Sequence, residues 1–221
     1  MADSQDGVCD RLSSKVAREE GYMDLRRMHG FSLIELMVTV TIILIVAGVA
    51  LMAMQPLLQF SRVSNSYNIT LGAIRQARDF AVAQRQQYSV TFNNAVVPNT
   101  ITITQAGNGN VVATYQLPTD VAFTAVGGIP TAANAVPDGF GAGAQAIQFD
   151  VNVAGGNPNV IYFMPDGTGQ DVAGNINNGV IYIARSTQLY SSHAITVWGA
   201  TGRLRGWRLY STAGVPYWRQ N

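Results

Sequence analysis

The feature that most constrains the fold is an uncharged apolar run near the N-terminus. From Leu36 to Met54 no residue is charged, and Thr39 and Thr41 carry the only polar side chains. At a rise of ~1.5 Å per residue, a helix over residues 31–54 is long enough to cross a hydrocarbon core of ~30 Å. Each threonine hydroxyl can bond back to the preceding helical turn, so both are tolerated in lipid. The sequence therefore predicts one transmembrane helix.

Glu35 lies one turn inside the predicted helix over residues 31–54 and has no cationic partner within that segment. A carboxylate at that depth costs several kcal/mol unless it is paired. If the chain were cut after Gly30, Phe31 would carry a new α-amino group about one helical turn from Glu35. The amine of the same chain, or that of a neighbouring, axially shifted copy, would satisfy the charge. In the second arrangement Glu35 would set the register of an assembly.

The string GFSLIEL, residues 30–36, resembles the prepilin signature of the type IV pilin and type II secretion pseudopilin superfamily. The resemblance implies that prepilin peptidase cleaves between Gly30 and Phe31 and that the new amine of Phe31 is methylated. It also implies that Glu35 is the carboxylate used in assembly. The chain itself is then a substrate of the peptidase.

Residues 1–30 are predicted to be the cleaved leader. They are polar and of mixed charge and lack an apolar stretch, so they are no ordinary secretory signal. Arg26 and Arg27, just before the apolar run, predict that this side stays in the cytoplasm. The leader is long for a pilin, and a start at Met23 instead of Met1 would give a short basic leader. Both starts are kept open.

Residues 55–87 are predicted to continue the helix as an amphipathic segment packed on a sheet. Tyr67, Ile74 and Ala81 belong to an apolar set at helical spacing. Pro56 lacks an N–H group and is predicted to kink or briefly interrupt the helix. Many pilins have a helix-bending proline closer to the N-terminus, where this chain has Met52. The run LGAIRQARDFAVAQRQQYSVTF resembles the segment from helix to first strand in the GspH/FimT branch of the superfamily.

Residues 88–221 are predicted to form an all-β periplasmic domain, because helical periodicity stops and short β-branched runs alternate with turn residues. The predicted strands are 88–93, 100–105, 111–117, 146–151, 160–164, 180–185, 194–198 and 203–210. Residues 127–144, rich in Gly, Ala and Pro, are predicted to be a long exposed loop. Residues 161–185 resemble the strand, Pro-Asp-Gly turn and strand of the GspH/FimT domain. The expected fold is α+β, a long N-terminal helix followed by an antiparallel β-sandwich-like domain.

No motif in the sequence indicates an enzymatic or metal-binding role. Asp166 and Asp171 lie in an Asn-rich segment, but their spacing does not match a calcium loop. His193 is the only histidine after residue 30, and the only cysteine, Cys9, lies in the leader. No nucleophile elbow or phosphate-binding glycine loop is present. We therefore expect no catalytic residue, no metal site and no cofactor.

The C-terminal segment concentrates arginine and aromatic residues. Arg203 and Arg205 follow Gly202 in a G-R-x-R string, and Arg208 and Arg219 follow among Trp and Tyr residues. The string resembles one linked to DNA binding in competence-type minor pilins, which implies Arg203 and Arg205 as phosphate contacts with the other two as helpers. The alternative is an ordinary hairpin whose tryptophan fills the core. A net charge of +1 is a modest electrostatic footprint for a nucleic-acid binder.

The function that the resemblance implies is that of a minor pseudopilin, similar to type II secretion protein H, in a periplasmic filament for protein secretion. The alternative is a type IV minor pilin that takes part in pilus assembly or DNA uptake. The expected partners are prepilin peptidase, other pseudopilins or pilins and, in the uptake alternative, DNA. The expected location is the inner membrane, with a single span and the C-terminal domain in the periplasm.

Overall fold

The computed structural model describes residues 31–141, 143–149 and 157–221. The predicted leader, with both candidate starts and Gly30, lies outside these residues. The first element, helix α1 (Leu33–Gln84), is continuous through Pro56, so the predicted interruption is not found. The chain divides into two compact units, Met1–Leu51 and Met52–Asn221, which are considered separately below.

In the first unit, the described residues 31–51 are all exposed to solvent. α1 is the only helix in the described part of the chain that is long and apolar enough to cross a membrane, with a mean hydropathy of 2.7 over its most apolar window. The Thr39 hydroxyl donates to the carbonyl of Leu36 at 2.9 Å, and that of Thr41 to the carbonyl of Met37 at 2.7 Å. The two polar groups are thus satisfied within the helix, as predicted.

The second unit contains the C-terminal part of α1 and all the strands that the structure describes. Their bounds are β1 Tyr88–Asn93, β2 Thr100–Gln105, β3 Asn110–Gln116, β4 Ala122–Phe123, β5 Ile147–Gln148, β6 Val160–Phe163, β7 Gly169–Gln170, β8 Gly179–Ala184, β9 His193–Trp198, β10 Arg203–Thr212 and β11 Val215–Gln220. All eight predicted strands have a counterpart, and β4, β7 and β11 were not predicted. The predicted strand 146–151 is reduced to β5, and its last two residues lie outside the described ranges.

The strands form two antiparallel sheets. The first has the order β3-β2-β1-β6-β7, and the second has the order β11-β10-β9-β8-β4, with β5 also paired to β8. The observed architecture, a long N-terminal helix followed by antiparallel sheets, is the predicted fold class. Gly202, with a φ of +60°, lies in the turn from β9 to β10, where an added Cβ would lie 2.0 Å from the carbonyl oxygen of Gly167. The first residue of the G-R-x-R string therefore has a structural reason to be glycine.

The main core lies where α1 meets both sheets. The helix contributes Val63, Ile74 and a row of alanines at four-residue spacing, Ala73, Ala77 and Ala81, all buried. Alternate residues of the central strands face the same core, which explains their period-two pattern. Small side chains along one helical face allow the backbone to approach the strands closely. The helix ends at Gln84, where Arg85 adopts a φ of +53° and the Gln86 N–H bonds to the carbonyl of Ala81.

A second, smaller core lies between the second sheet and residues 125–140. Ile129 and Phe140 are buried against Val180, Tyr182 and other residues of the sheet. A short 3-10 turn, Pro137–Gly139, lies within this segment. The prediction of a long exposed loop over residues 127–144 is therefore wrong in part. The segment lacks regular strands, but several of its side chains are buried, Ile129, Val136 and Phe140 among them.

Candidate functional site

The N-terminal site starts at the first turn of α1. The backbone N–H of Leu36 bonds to the carbonyl of Ser32 at 3.1 Å, so Glu35 lies within the first helical turn. Phe31 is 76% exposed, and Glu35 is also exposed. No ion pair of Glu35 occurs among the described residues. The negative charge of Glu35 therefore has no internal partner in the part of the chain that the structure describes.

The four C-terminal arginines lie on two different faces of the second sheet. Alternation along β10 places Arg203 and Arg205 on one face and Arg208 on the other. Arg219 of β11 is directly opposite Arg208 in the antiparallel register, so it shares the face of Arg208. The predicted phosphate contacts, Arg203 and Arg205, therefore share one face of the sheet, and the predicted helpers, Arg208 and Arg219, share the other.

Arg205 is held by an internal ion pair. Its guanidinium Nη1 lies 2.5 Å from Oδ1 of Asp138, whose side chain is only 4% exposed. The other carboxylate oxygen accepts hydrogen bonds from the Thr196 hydroxyl at 2.5 Å and from Nε1 of Trp198 at 3.0 Å. Asp138 itself has a φ of +52°, in the left-handed region that an aspartate adopts more readily than most residues. Arg205 therefore anchors the 3-10 turn to the sheet.

Arg203 is exposed and borders a cleft of about 390 Å³. The cleft is lined by Arg75, Arg78 and Asp79 of α1 and by the turn that precedes Arg203. Nε of Arg78 donates to the carbonyl of Gly167, and its Nη2 donates to that of Thr201, both at 3.2 Å. Three arginines and one aspartate give this cleft a positive balance, which sequence spacing alone did not predict.

On the opposite face, Arg208 lies over aromatic rings. Its Cζ is 4.4 Å from the ring centroid of Phe60 and 5.2 Å from that of Tyr210. Arg219 lies 5.9 Å from the ring of Tyr210, which is in turn 6.2 Å from the ring of Tyr217. We call Phe60, Arg208, Tyr210, Tyr217 and Arg219 the arginine–aromatic ladder.

His193 is buried beneath this face, with its ring 5.3 Å from that of Tyr67. The carbonyl of Ser191 lies 2.9 Å from Nδ1 and accepts its proton. Burial lowers the pKa of His193; the Ser191 bond opposes this effect, and the positive charge of Arg208 adds to it. Burial thus favours the neutral form of this core histidine, and within the described ranges it belongs to no group of three His, Cys, Asp or Glu side chains.

The two acidic residues of the turns, Asp166 and Asp171, accept hydrogen bonds from neighbouring residues of the same turns. Asp166 accepts from the hydroxyl and the N–H of Thr168, and these bonds lower the pKa of its carboxyl. Asp171 accepts from the side chain and the N–H of Asn175, which lowers its pKa in the same way. Within the described residues, no group of three or more His, Cys, Asp or Glu side chains could hold a metal ion.

Comparisons with known proteins locate a family motif at the N-terminal site. Residues 25–51 match the model of the prokaryotic N-terminal methylation motif. The crystal structure of the type IV minor pilin FimU of Pseudomonas aeruginosa strain PAO1 matches with 12% sequence identity and a TM-score of 0.39, over 68% of this chain and 89% of that one. No curated protein matched the chain. The motif spans Phe31 and Glu35, the two residues that the sequence predicts to be paired.

Proposed function

We propose that this chain, which carries the N-terminal methylation motif of type IV pilin-like proteins, is a minor pseudopilin of a type II secretion filament. The single observation that carries the proposal is Glu35, a carboxylate without an ion-pair partner among the described residues, in the first turn of a helix whose apolar residues up to Leu51 are all exposed. An apolar surface of this length needs lipid or neighbouring helices around it. In either setting the carboxylate needs a cation, and the amine of a processed neighbour provides one.

The proposed life of the chain has two stages. Residues 1–30 are removed by prepilin peptidase, and residues 31–54 hold the subunit in the inner membrane with residues 55–221 in the periplasm. The same helix then enters a filament with other pseudopilins, where Glu35 meets the Phe31 amine of the next subunit. The role is structural, and the force for movement comes from other components.

Processing is tested by replacing the residue before the proposed cut. Gly30→Leu places a bulky side chain where a small one is expected, so the precursor should accumulate uncut. N-terminal sequencing or intact mass of the membrane-bound protein gives the result. A mature chain beginning at Phe31 in this variant would contradict the proposed cleavage.

Assembly is tested by removing the charge of Glu35. The Glu35→Leu chain should insert in the membrane and be cleaved, but it should be largely absent from purified filaments. Thr41→Val, which removes a polar group that is already satisfied within the same helix, is the matched control and should be incorporated normally. Equal incorporation of both variants would refute the role of Glu35. Loss of secretion without loss of pili, after deletion of the chain, would distinguish a pseudopilin from a pilus subunit.

The second candidate, a minor pilin that binds DNA, is supported by the positive cleft of Arg75, Arg78 and Arg203. Arg205 is paired with Asp138, so this candidate relies on Arg203 and the two arginines of α1 for contacts to phosphate. A DNA contact through the cleft predicts salt-sensitive retardation in a gel shift, lost in the Arg75→Gln, Arg203→Gln double variant. Retardation lost instead in Arg219→Gln would place the contact on the ladder face.

A further inference from the structure

We propose that the arginine–aromatic ladder binds anionic phospholipid headgroups of the membrane that holds α1. This inference rests on the proposed function only in requiring that residues 31–54 lie in a bilayer. Phe60 is 41% exposed and Tyr217 is 40% exposed, so the ladder is open to solvent at two of its aromatic positions. Arginine forks bind phosphate in a bidentate manner, and aromatic rings favour the membrane–water interface.

The charge of the ladder is uncompensated in the described structure. No carboxylate among the described residues forms an ion pair with Arg208 or Arg219. Their guanidinium groups are held by aromatic faces instead, which leaves the positive charge available to an external anion. The carboxylate of Asp120 is shared by Arg62 and Arg185.

A cleft of about 510 Å³ opens beside the ladder. It is lined by Gln59, Phe60 and Val63 of α1, by residues 188–191 before β9, and by Arg208. Tyr190, on its rim, is 46% exposed. Arg208 can contact the phosphate of a lipid headgroup, while the apolar side chains of the cleft contact the glycerol backbone.

The distance along the chain places this surface within reach of the bilayer. Only six residue steps separate Met54, the end of the apolar run, from Phe60. These residues belong to α1, where six steps rise by about 9 Å along the helix axis. A polar headgroup layer extends for roughly 5–8 Å beyond the hydrocarbon core.

A second copy of this chain is a less suitable occupant. Of the described aspartates in the second unit, Asp120 and Asp138 are engaged in ion pairs. Asp171 is 5% exposed and accepts bonds from Asn175. The two exposed aspartates among them are Asp79, which lines the positive cleft with Arg75 and Arg78, and Asp166, which accepts bonds from Thr168. The described second unit of another copy therefore presents two separate carboxylates, whereas an anionic leaflet presents many phosphates.

The test places a fluorescent label on each side of the second unit in the full chain. Cys9, the only cysteine, is replaced by serine, and a single cysteine is introduced at Tyr190 or, as the matched control, at Val112 of β3, which is 44% exposed. Each protein is reconstituted in nanodiscs of phosphatidylcholine, with or without about a third phosphatidylglycerol. Quenching by headgroup-attached nitroxide lipid is then measured.

We expect the Tyr190→Cys label to be quenched about twofold more in the anionic discs, and the Val112→Cys label to be unaffected by composition. Arg208→Gln and Arg219→Gln should each reduce the anionic increment, whereas Arg203→Gln, an equal loss of charge on the other face, should not. Since Arg208→Gln removes stacking contacts, its thermal unfolding is checked, and Arg219→Gln, exposed on the edge strand, provides an independent result.

Equal quenching in both lipids, or an increment that survives both ladder variants, would overturn the proposal. Protection of the Tyr190→Cys label only when other filament subunits are added would also overturn it, and would assign the surface to a neighbouring subunit. Failure of the chain to enter discs would count against the membrane anchor of the proposed function instead. Normal lipid contact with failed filament incorporation would refute the filament role and leave this contact standing.

Discussion

At the scale of single residues, Asp138 joins the 3-10 turn of residues 137–139 to the second sheet through Thr196, Trp198 and Arg205. We expect Asp138→Asn to reduce the free energy of unfolding by about 2–4 kcal/mol, because it leaves Arg205 without its buried partner. Denaturant unfolding of the full chain in detergent, followed by tryptophan fluorescence, measures the change. Arg203→Gln, which removes an exposed arginine of the same strand, should change stability by less than about 0.5 kcal/mol. Equal effects of the two variants would contradict the anchoring role.

Gly206 is a second residue with a defined steric role. A Cβ added there would lie 1.6 Å from the hydroxyl oxygen of Tyr67, so Gly206→Ala should destabilise the protein by about 1–3 kcal/mol. The matched control is Gly72→Ala in α1, where an added Cβ meets nothing within 4 Å. Because alanine favours helix over glycine, that variant should be neutral or more stable by up to about 1 kcal/mol. If the packing is as described, the midpoint of thermal unfolding falls in Gly206→Ala and is unchanged or rises in Gly72→Ala.

His193 links stability to pH. Its folded-state pKa is lowered, so the unfolded chain takes up a proton first as the pH falls below about 6.5. The stability contribution of the neutral form is therefore complete above that pH and is lost as the pH falls towards the folded-state pKa. His193→Gln should flatten the stability profile between about pH 7 and pH 5. A profile of the same slope in the variant would show that other groups are responsible, since the depressed pKa values of Asp166 and Asp171 act at lower pH.

At the scale of elements, runs of β-branched and aromatic residues predicted the central strands and the edge strand β3, but not β4, β7 and β11. β1 and β2 have the predicted bounds because alternate residues of each face the core. β11 contains Pro216 and is paired on one side only. Because proline is unusual inside a strand, this segment was not predicted to be one. The segment 127–144 has no periodicity, yet it is held by scattered contacts such as Asp138, which no local pattern indicates.

The alanine row of α1 gives a prediction at this scale. Ala77 is fully buried where the helix meets the sheets, so Ala77→Leu should destabilise the second unit by about 1–3 kcal/mol through overpacking. Ala83→Leu, on the exposed side of the same helix, is the control and should have little effect. Chemical denaturation of the two variants compares them directly. Tolerance of leucine at Ala77 would mean that the helix is not seated as closely as described.

At the scale of the whole molecule, the residues proposed for processing and those that stabilise the β-domain belong to different compact units. The Asp138→Asn chain should therefore still be cut after Gly30 in cells, although its second unit is less stable. Intact mass of the membrane fraction measures the cut. An uncut Asp138→Asn precursor would show that processing depends on the folded domain.

The motif at residues 30–36 was evident from the sequence because it is local, whereas the separation of the four C-terminal arginines required strand register. The spacing of Arg203 and Arg205 correctly placed both on one face. Nothing local, however, indicated that Asp138 neutralises one of them or that Arg75 and Arg78 of α1 join the other.

The exposed first residue of the described chain, Phe31, has a practical consequence for chemical labelling. Lys15 is the only lysine in the sequence, so a chain that begins at Phe31 carries no side-chain amine. A reagent that reacts only with primary amines would mark such a chain at its terminus and nowhere else. It would mark the cut but unmethylated form and leave the methylated form unmarked, so one dye would test both proposed reactions.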